Sequence, residues 1–591
     1  MYFALNSQKQ LKINTIFKTI MLNYSISFQS STAHLIDFIF HIDNITTDII
    51  EIQLPAWRPG RYELQNFAKN IQKFNVKSKN GKHLAFKKIT KDRWEIDTKG
   101  LSEIKVEYNY YAVQMDAGGT YLDDQQLYIN FCTCLPYVEG RINEPCKVQL
   151  LDLPKDYKIA CGLKHDNKNT LQAVDYHELV DSPMIASKTL QHYQYEVAKT
   201  PFNIWIQGEW HIADLTTLLS DFQGFTTKQL EMMKEFPFEE YHFLIHALPQ
   251  KYYHGVEHRN STVIVLGPSE LMNSEESYKN LLGVCSHELF HAWNICKIRP
   301  AQMLPYDYTK ENYFDTGFIA EGITTYYGDV FLMRSGVWKY QQYLKELNDS
   351  FKKHFNNFGC NNHSLVDSSL DLWLDGYSAG IPDRKVSIYA KGSIVALILD
   401  LEIRKSTKNK KSLDDVMRVL WTDFGKKDVG YTMESFKKVA EKVAGKSLQK
   451  YFDECIFGKY PLEKVLDDLL EHFGFVLITN HHNKGTEMFD FECNCDTGKC
   501  LVSMIVPNTK TARLLSLKDE IIALDGRKVE NNINELLHGK LSCELTIFRN
   551  KQLKNISIDA EDAHFHREYY IQLKSGATKI QQEYLEKWLN N

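Results

Sequence analysis

A multidomain α+β architecture follows from three features of the chain. Its 591 residues exceed one domain, at about 100–200 residues each. Residues about 22–195 read as short alternating runs, HLIDFIFHI, DIIEIQL, KVEYNYYAV and KVQLLDL among them, separated by turns such as NGK and PKD, with little helical periodicity. From about 200 to 475 long segments of helical period take over, and the last hundred residues return to short strands. The expectation is a β-rich N-terminal domain, a mainly helical central domain and a small C-terminal domain of β character.

Composition narrows the class. With 70 Lys+Arg against 75 Asp+Glu the net charge is −5, and 43% of residues are apolar, values typical of a globular chain rather than a disordered or collagen-like one. The near-neutral balance argues against a nucleic-acid binder. The longest apolar run, around Ile394–Leu401, is broken by Asp400, so no segment reaches the ~18–20 apolar residues of a membrane span.

The first twenty residues lack the compact apolar core and small-residue cleavage site of a signal peptide. Residues 1–21 are expected to be a tail or extension, with Met21 as the native start before the strand-like LNYSISFQ. Residues 22–195 make the β-rich domain. Residues 196–475 open with the strand-like YHFLIHAL and STVIVLG and continue with predicted helices at about 275–296, 316–334, 337–354, 387–405, 412–423, 432–443 and 460–472. Residues 476–575 carry the strands LVSMIV, EIIALDG, CELTIF and KNISID, and a helix, IQQEYLEKWL, closes the chain within 576–591. The twelve cysteines form no small-domain framework, which predicts reduced thiols and a cytoplasmic location. Cys493, Cys495 and Cys500 lie close together but lack a second pair at zinc-finger spacing, so a strand and loop are expected there rather than a metal knuckle.

The informative segment is SHELFHAWN, residues 286–294. His287 and His291, four apart on a helix, project from one face and can converge on one Zn²⁺. Glu288 is placed to take a proton from a metal-bound water and pass it to a leaving amine. Asn273 or Ser274 can cap the helix. Lys297 stands where a longer three-histidine pattern would have its third ligand. A carboxylate on a second helix, DTGFIAEGITTYY, fills that need. Glu321 lies among apolar neighbours, where a buried carboxylate requires a partner. Glu311, in the polar stretch YDYTKENYFD, is the rival ligand and reads as loop. Gly322 weakens helix propensity and suggests a close backbone approach.

Two further groups complete the chemistry. Tyr389, in VSIYAKG near the first turn of an apolar helix, is a candidate donor to a tetrahedral oxyanion. Glu257, in GVEH between two predicted strands, is a candidate anchor for a substrate ammonium.

Together these segments resemble the glycyl aminopeptidase family of zinc metallopeptidases, whose members often end in a PDZ domain. HELFHAWN is similar to its HExxHxWN, IAEGITTYY to its third-ligand helix, and YAKG to the Tyr-x-Lys-Gly of gluzincin aminopeptidases. GVEH resembles its Gly-x-Glu-His, and LPAWRPGRYELQNFA its Pro-x-Trp-x-Pro-Gly-x-Tyr…Phe-Ala; TYLDDQQLYIN extends the resemblance. The resemblance implies a thermolysin-like catalytic domain at 196–475 and a PDZ-like domain at 476–575. It also implies one Zn²⁺ per chain on His287, His291 and Glu321, with Glu288 as base, Tyr389 as oxyanion donor and Glu257 as amine anchor. The implied reaction removes N-terminal Gly or Ala from peptides. The implied partners are peptide substrates, and a peptide C-terminus at the PDZ-like domain, with no nucleic acid and no membrane.

The chain departs from the family pattern at four places. His254 replaces the first of two glycines, Asn66 replaces Asp before Phe67, and Lys518 replaces Gly in the PDZ core. CNCDTGKC stands in place of a Gly-Leu-Gly-Phe-type carboxylate loop. Two alternatives stay open: a zinc endopeptidase in which Glu257 is structural, and a catalytically silent peptide-binding scaffold.

Overall fold

The computed structural model describes residues 21–378, 380–481, 485–496, 498–561 and 567–590. The tail expected over 1–21 lies, Met21 apart, outside them. The chain divides into two compact units. One comprises Met1–Lys339, Ser369–Gly380 and Lys411–Leu448, the other Tyr340–Ser368, Ile381–Lys410 and Gln449–Asn591.

The first unit begins with the β-rich region. Strand Leu22–Ser30 alternates, burying Leu22, Tyr24, Ile26 and Phe28. It pairs antiparallel with Leu35–Ile42 and parallel with Cys146–Leu150. These are the centre of a seven-stranded sheet, accompanied by two four-stranded sheets. Their shared core contains Phe38, Phe40, Trp94, Val106, Val148 and Tyr176, and Tyr308 from the central region joins it.

A five-stranded sheet follows. Strands Thr200–Gly208, Tyr241–Ala247 and Ser261–Gly267 run parallel, Gln191–Val197 closes one edge, and Tyr252–His258 lies antiparallel on the other. All seven residues of Tyr241–Ala247 are buried, matching the near-continuous apolar reading of a strand covered on both faces. Helix Glu275–Phe290 packs on the edge pair Tyr252–His258 and Ser261–Gly267, with Ile323–Arg334 beside it. Helices Leu413–Asp423 and Met433–Ala444 also belong here. One helix of this unit, Leu215–Met233, is not predicted from the sequence. Four threonines and Gly224 dilute its period, and burial of Leu218, Phe222, Phe225 and Leu230 holds it in place.

The second unit contains helices Tyr340–Phe355, Ala390–Ser406, Leu462–His472 and Lys579–Asn590. In Ala390–Ser406 the charge that interrupts the apolar run is matched: Arg404 Nε donates to Asp400 at 2.9 Å, both buried. Strand Phe475–His481 pairs with Arg567–Leu573. A further sheet runs Phe491–Asp496, Lys499–Ile505, Glu520–Leu524, Ser542–Arg549, Gln552–Asp559, with Arg527–Lys528 on Glu520–Leu524. Its core is Phe489, Phe491, Val502, Ile521, Leu545 and Ile547.

The cysteines correct one expectation. Cys495 and Cys500 sit opposite each other in the hairpin of this sheet and are joined as a disulfide. Direct cross-strand pairing brings their side chains together, which composition does not disclose. The other ten cysteines are free. Burial pushes the Cys493 thiol up to about 12. Among the described residues no helix is long and apolar enough to cross a membrane.

Candidate active site

The helix Glu275–Phe290 starts as expected, with Ser274 accepting from the Ser277 amide at 3.3 Å. It ends earlier than 296. His291 is its C-terminal cap residue, and the chain then turns through Ile295 at φ 95°. This turn serves the second histidine. His291 Nδ1 meets the Asn294 carbonyl at 2.8 Å; with the proton on Nδ1, the lone pair on Nε2 faces inward.

The second predicted helix begins with a wider turn. Phe318–Gly322 is π-helical and continues as the α-helix Ile323–Arg334. Glu321 lies in that turn, a distortion often found where side chains must converge. Asn294 joins the two helices: its side-chain amide donates to the Ile319 carbonyl at 2.7 Å, the Ala320 carbonyl at 3.2 Å and Thr324 Oγ1 at 2.9 Å. Ser286 Oγ adds a bond to the Gly328 carbonyl at 2.7 Å.

The result brings His287, His291 and Glu321 together. The two Nε2 atoms are 3.0 Å apart, and Glu321 Oε2 lies 3.5 Å from His291 Nε2 and 3.9 Å from His287 Nε2. Three ligands at ~2.0–2.1 Å from a tetrahedral zinc stand about 3.4 Å from one another, so the donor set fits such an ion. Glu311 lies outside regular structure, as read. Glu257, Glu288 and His291 form an overlapping group with ligand atoms within 4.8 Å of one another.

Charge supports the same fit. Glu257, Glu288 and Glu321 are all buried, so three carboxylates face two imidazoles. Burial raises Glu288 well above the carboxylate range and raises Glu257 too, with His291 opposing in both. Burial drives His287 down to about 3, the neutral form that ligates a metal. On His291 burial acts downward, but the bond to Glu321 and the charges of Glu257 and Glu288 outweigh it and raise its pKa. Glu321 is correspondingly held low against its own burial. A divalent cation between these groups would neutralise the excess negative charge.

Glu257 corrects the sequence reading. GVEH is no connection between strands; it belongs to the edge strand Tyr252–His258, and Glu257 is buried. Two glycines make room here. A Cβ at Gly255 would stand 2.4 Å from Glu288 Oε1, and one at Gly60, whose φ is 77°, 2.8 Å from Glu257 Oε2. Glu288 Oε2 is buried with no hydrogen-bond partner among the described residues. The polypeptide bond group of Glu288 is also held, since Tyr241 donates its hydroxyl to the Glu288 carbonyl at 3.2 Å.

PAWRPGRY supplies residues whose roles the sequence did not reveal. Tyr62 donates its hydroxyl to Glu321 Oε1 at 3.0 Å, leaving Oε2 for the histidines. Arg58 is fully buried, and its charge lowers the pKa of Glu257, Glu288 and Asp116. Tyr389 belongs to the second unit. It precedes helix Ala390–Ser406, whose start is capped by Ser387 Oγ accepting from the Tyr389 and Ala390 amides, and its side chain is partly exposed.

Comparison with known proteins agrees. Residues 23–188 match the Peptidase M61 N-terminal domain model and residues 280–395 the M61 glycyl aminopeptidase model. No curated protein sequence matches. Among solved structures, the chain is similar to an aminopeptidase N family protein from Idiomarina loihiensis, with a TM-score of 0.88, 26% identity, and coverage of 96% of this chain and 100% of that one. A looser likeness is to an M1 zinc metallopeptidase from Deinococcus radiodurans, with a TM-score of 0.47, 10% identity, and coverage of 75% and 94%.

Proposed function

We propose, from the premise that this chain belongs to the M61 glycyl aminopeptidase family of metallopeptidases, that it removes single small residues, Gly and Ala first, from the free N-termini of peptides with one zinc ion per chain. The observation that carries the exopeptidase reading is Glu257, a buried carboxylate beside Glu288 and His291. An anion there would hold a substrate's ammonium and leave no room for further residues on that side.

His287, His291 and Glu321 would hold the zinc, which when bound supplies Lewis acidity and a water acidified toward neutral pH. Glu288 takes a proton on its unpartnered Oε2 and returns it to the departing amine. Its burial suits a carboxyl that must hold a proton between those two events. Tyr389 is assigned the donor to the oxyanion by its place in Tyr-Ala-Lys-Gly. Asn294 and Tyr62 orient the ligand groups.

The domain limits 22–195, 196–475 and 476–575 are part of the proposal, with 576–591 as a terminal helix. A PDZ-like assignment for 476–575 is supported by LKDEIIALDGRKV, which lies across strand Glu520–Leu524 and its pairing with Arg527–Lys528. A peptide C-terminus is its proposed ligand. A cytoplasmic location is supported by the ten free thiols, with the Cys495–Cys500 disulfide standing against it.

The test compares a glycyl peptide with its N-acetylated form, with and without chelator and restored Zn²⁺. Cleavage of the free peptide alone, lost on chelation and recovered with zinc, is expected. Equal cleavage of the blocked peptide would make the protein an endopeptidase, and no cleavage by the zinc-loaded protein would make it a scaffold.

A further inference from the structure

A cavity of about 680 Å³ lies in the first unit, lined in part by Arg61, Lys251, Tyr252, His254, Glu276 and Asn280. It adjoins the carboxylate cluster through two chain neighbours. Arg61 follows Gly60, which abuts Glu257, and His254 precedes Gly255, which abuts Glu288. From the helix side, Glu276 and Asn280 lie two to three turns before His287 on Glu275–Phe290.

The edge strand gives this cavity a direction. Tyr252–His258 pairs with Ser261–Gly267 on one side and has no second sheet neighbour among the described residues. An extended peptide can add to such an edge through its backbone. With the peptide's ammonium at Glu257, near the strand's C-terminal end, antiparallel addition carries the peptide back past Gly255 and His254 toward Lys251. At about 3.4 Å per residue the six steps from Glu257 to Lys251 cover about 20 Å, so roughly the seventh residue of the peptide reaches Lys251.

The cavity is lined by Lys251, Arg61 and Glu276, and the Arg61 charge is already matched, which leaves Lys251 as its uncommitted cation among the described residues. Arg61 is fixed by Glu63 at 2.7 Å and lies over the Tyr377 ring at 4.4 Å. Lys251 is exposed, with no carboxylate within ion-pair distance among the described residues. His254 accepts from the Ala117 amide at 3.3 Å, and burial lowers it to about 4, so it adds no charge at neutral pH.

We propose that this cavity receives the C-terminal end of a short peptide substrate and that Lys251 binds the terminal carboxylate. The proposal rests on the aminopeptidase reading above and narrows its substrate class to oligopeptides of about seven residues with a free C-terminus.

The test uses the zinc-loaded full chain on Gly-Ala-Ala-Ala-Ala-Ala-Ala as the free acid and as the C-terminal amide, alongside a glycyl anilide. The wild type should favour the acid over the amide by about fivefold in kcat/KM, the difference lying in KM, as suits a partly exposed ion pair. Lys251→Ala should bring the ratio to about one and Lys251→Arg should restore it. Equal rates on acid and amide in the wild type, or an unchanged ratio in Lys251→Ala, would overturn the proposal. An amidated peptide ending in Asp that is cleaved as fast as the acid would also overturn it, since any carboxylate would then serve. Failure on the glycyl anilide would instead remove the underlying peptidase reading, while cleavage of the anilide with no acid preference removes only the carboxylate site.

Discussion

Tyr62 donates its hydroxyl to Glu321 Oε1 at 3.0 Å across 259 residues of chain. A residue of the β-rich region thus orients a carboxylate of the candidate metal centre. The bond occupies one oxygen and leaves the other toward His291 and His287. Tyr62→Phe should therefore lower zinc affinity by about 10–100-fold, the usual effect of losing such a support. Competition with a chromophoric chelator measures it. Unchanged affinity would show that the hydroxyl does nothing for the carboxylate.

Asn294 invites a second substitution. Its amide serves acceptors on the other ligand helix at Ile319, Ala320 and Thr324, and the residue is fully buried. Asn294→Ala should remove these buried hydrogen bonds and destabilise the protein by about 1–3 kcal/mol. The apo protein's melting temperature should fall, and zinc should restore less than it does to the wild type. A variant as stable as the wild type in both states would deny the residue this role.

These two residues also mark where the sequence stops being informative. HELFHAWN and IAEG are legible because a metal site needs particular side chains at short helical spacings. Tyr62 is not, since its partner is a tertiary neighbour with no local signal. The strand containing Glu257 is obscured by Gly255 and by its charged and imidazole side chains, which carry little β-propensity. The π-turn around Glu321 and the early end of the first ligand helix are set by packing between helices. The seven predicted helices of the central region are found, because long amphipathic or apolar segments keep a clear period, whereas the Thr-rich Leu215–Met233 does not.

Glu288→Gln tests the proposed proton carrier. The amide keeps the shape but cannot take the proton, so kcat should fall by about 10²–10⁴. Zinc content by elemental analysis should not change, because His287, His291 and Glu321 are untouched. Turnover near wild-type level with full zinc would place the base elsewhere.

Tyr389→Phe removes only a phenol. If that phenol meets the oxyanion, the loss falls on kcat, by about 10²–10³, with KM little altered. Steady-state kinetics on a glycyl anilide separates the two constants. A raised KM with unaltered kcat would make Tyr389 a binding residue.

A final expectation concerns acid stability and a histidine away from the metal ligands. His246 lies in the central strand Tyr241–Ala247, is 1% exposed, and has no hydrogen-bond partner for either ring nitrogen among the described residues. Its ring stands 4.7 Å from that of Tyr128. Burial lowers its pKa to about 3, below the unfolded value near 6.5. Below about pH 6.5 the unfolded chain binds a proton at this position that the folded chain refuses. Its contribution to stability is therefore complete above that pH and is lost as pH falls toward 3, at a limiting slope of about 1.4 kcal/mol per pH unit. His246→Leu abolishes the titration, so its melting temperature should fall less steeply than that of the wild type between pH 6.5 and 4. Parallel curves would mean that His246 is charged within the fold, with a partner supplied by rearrangement of the strand.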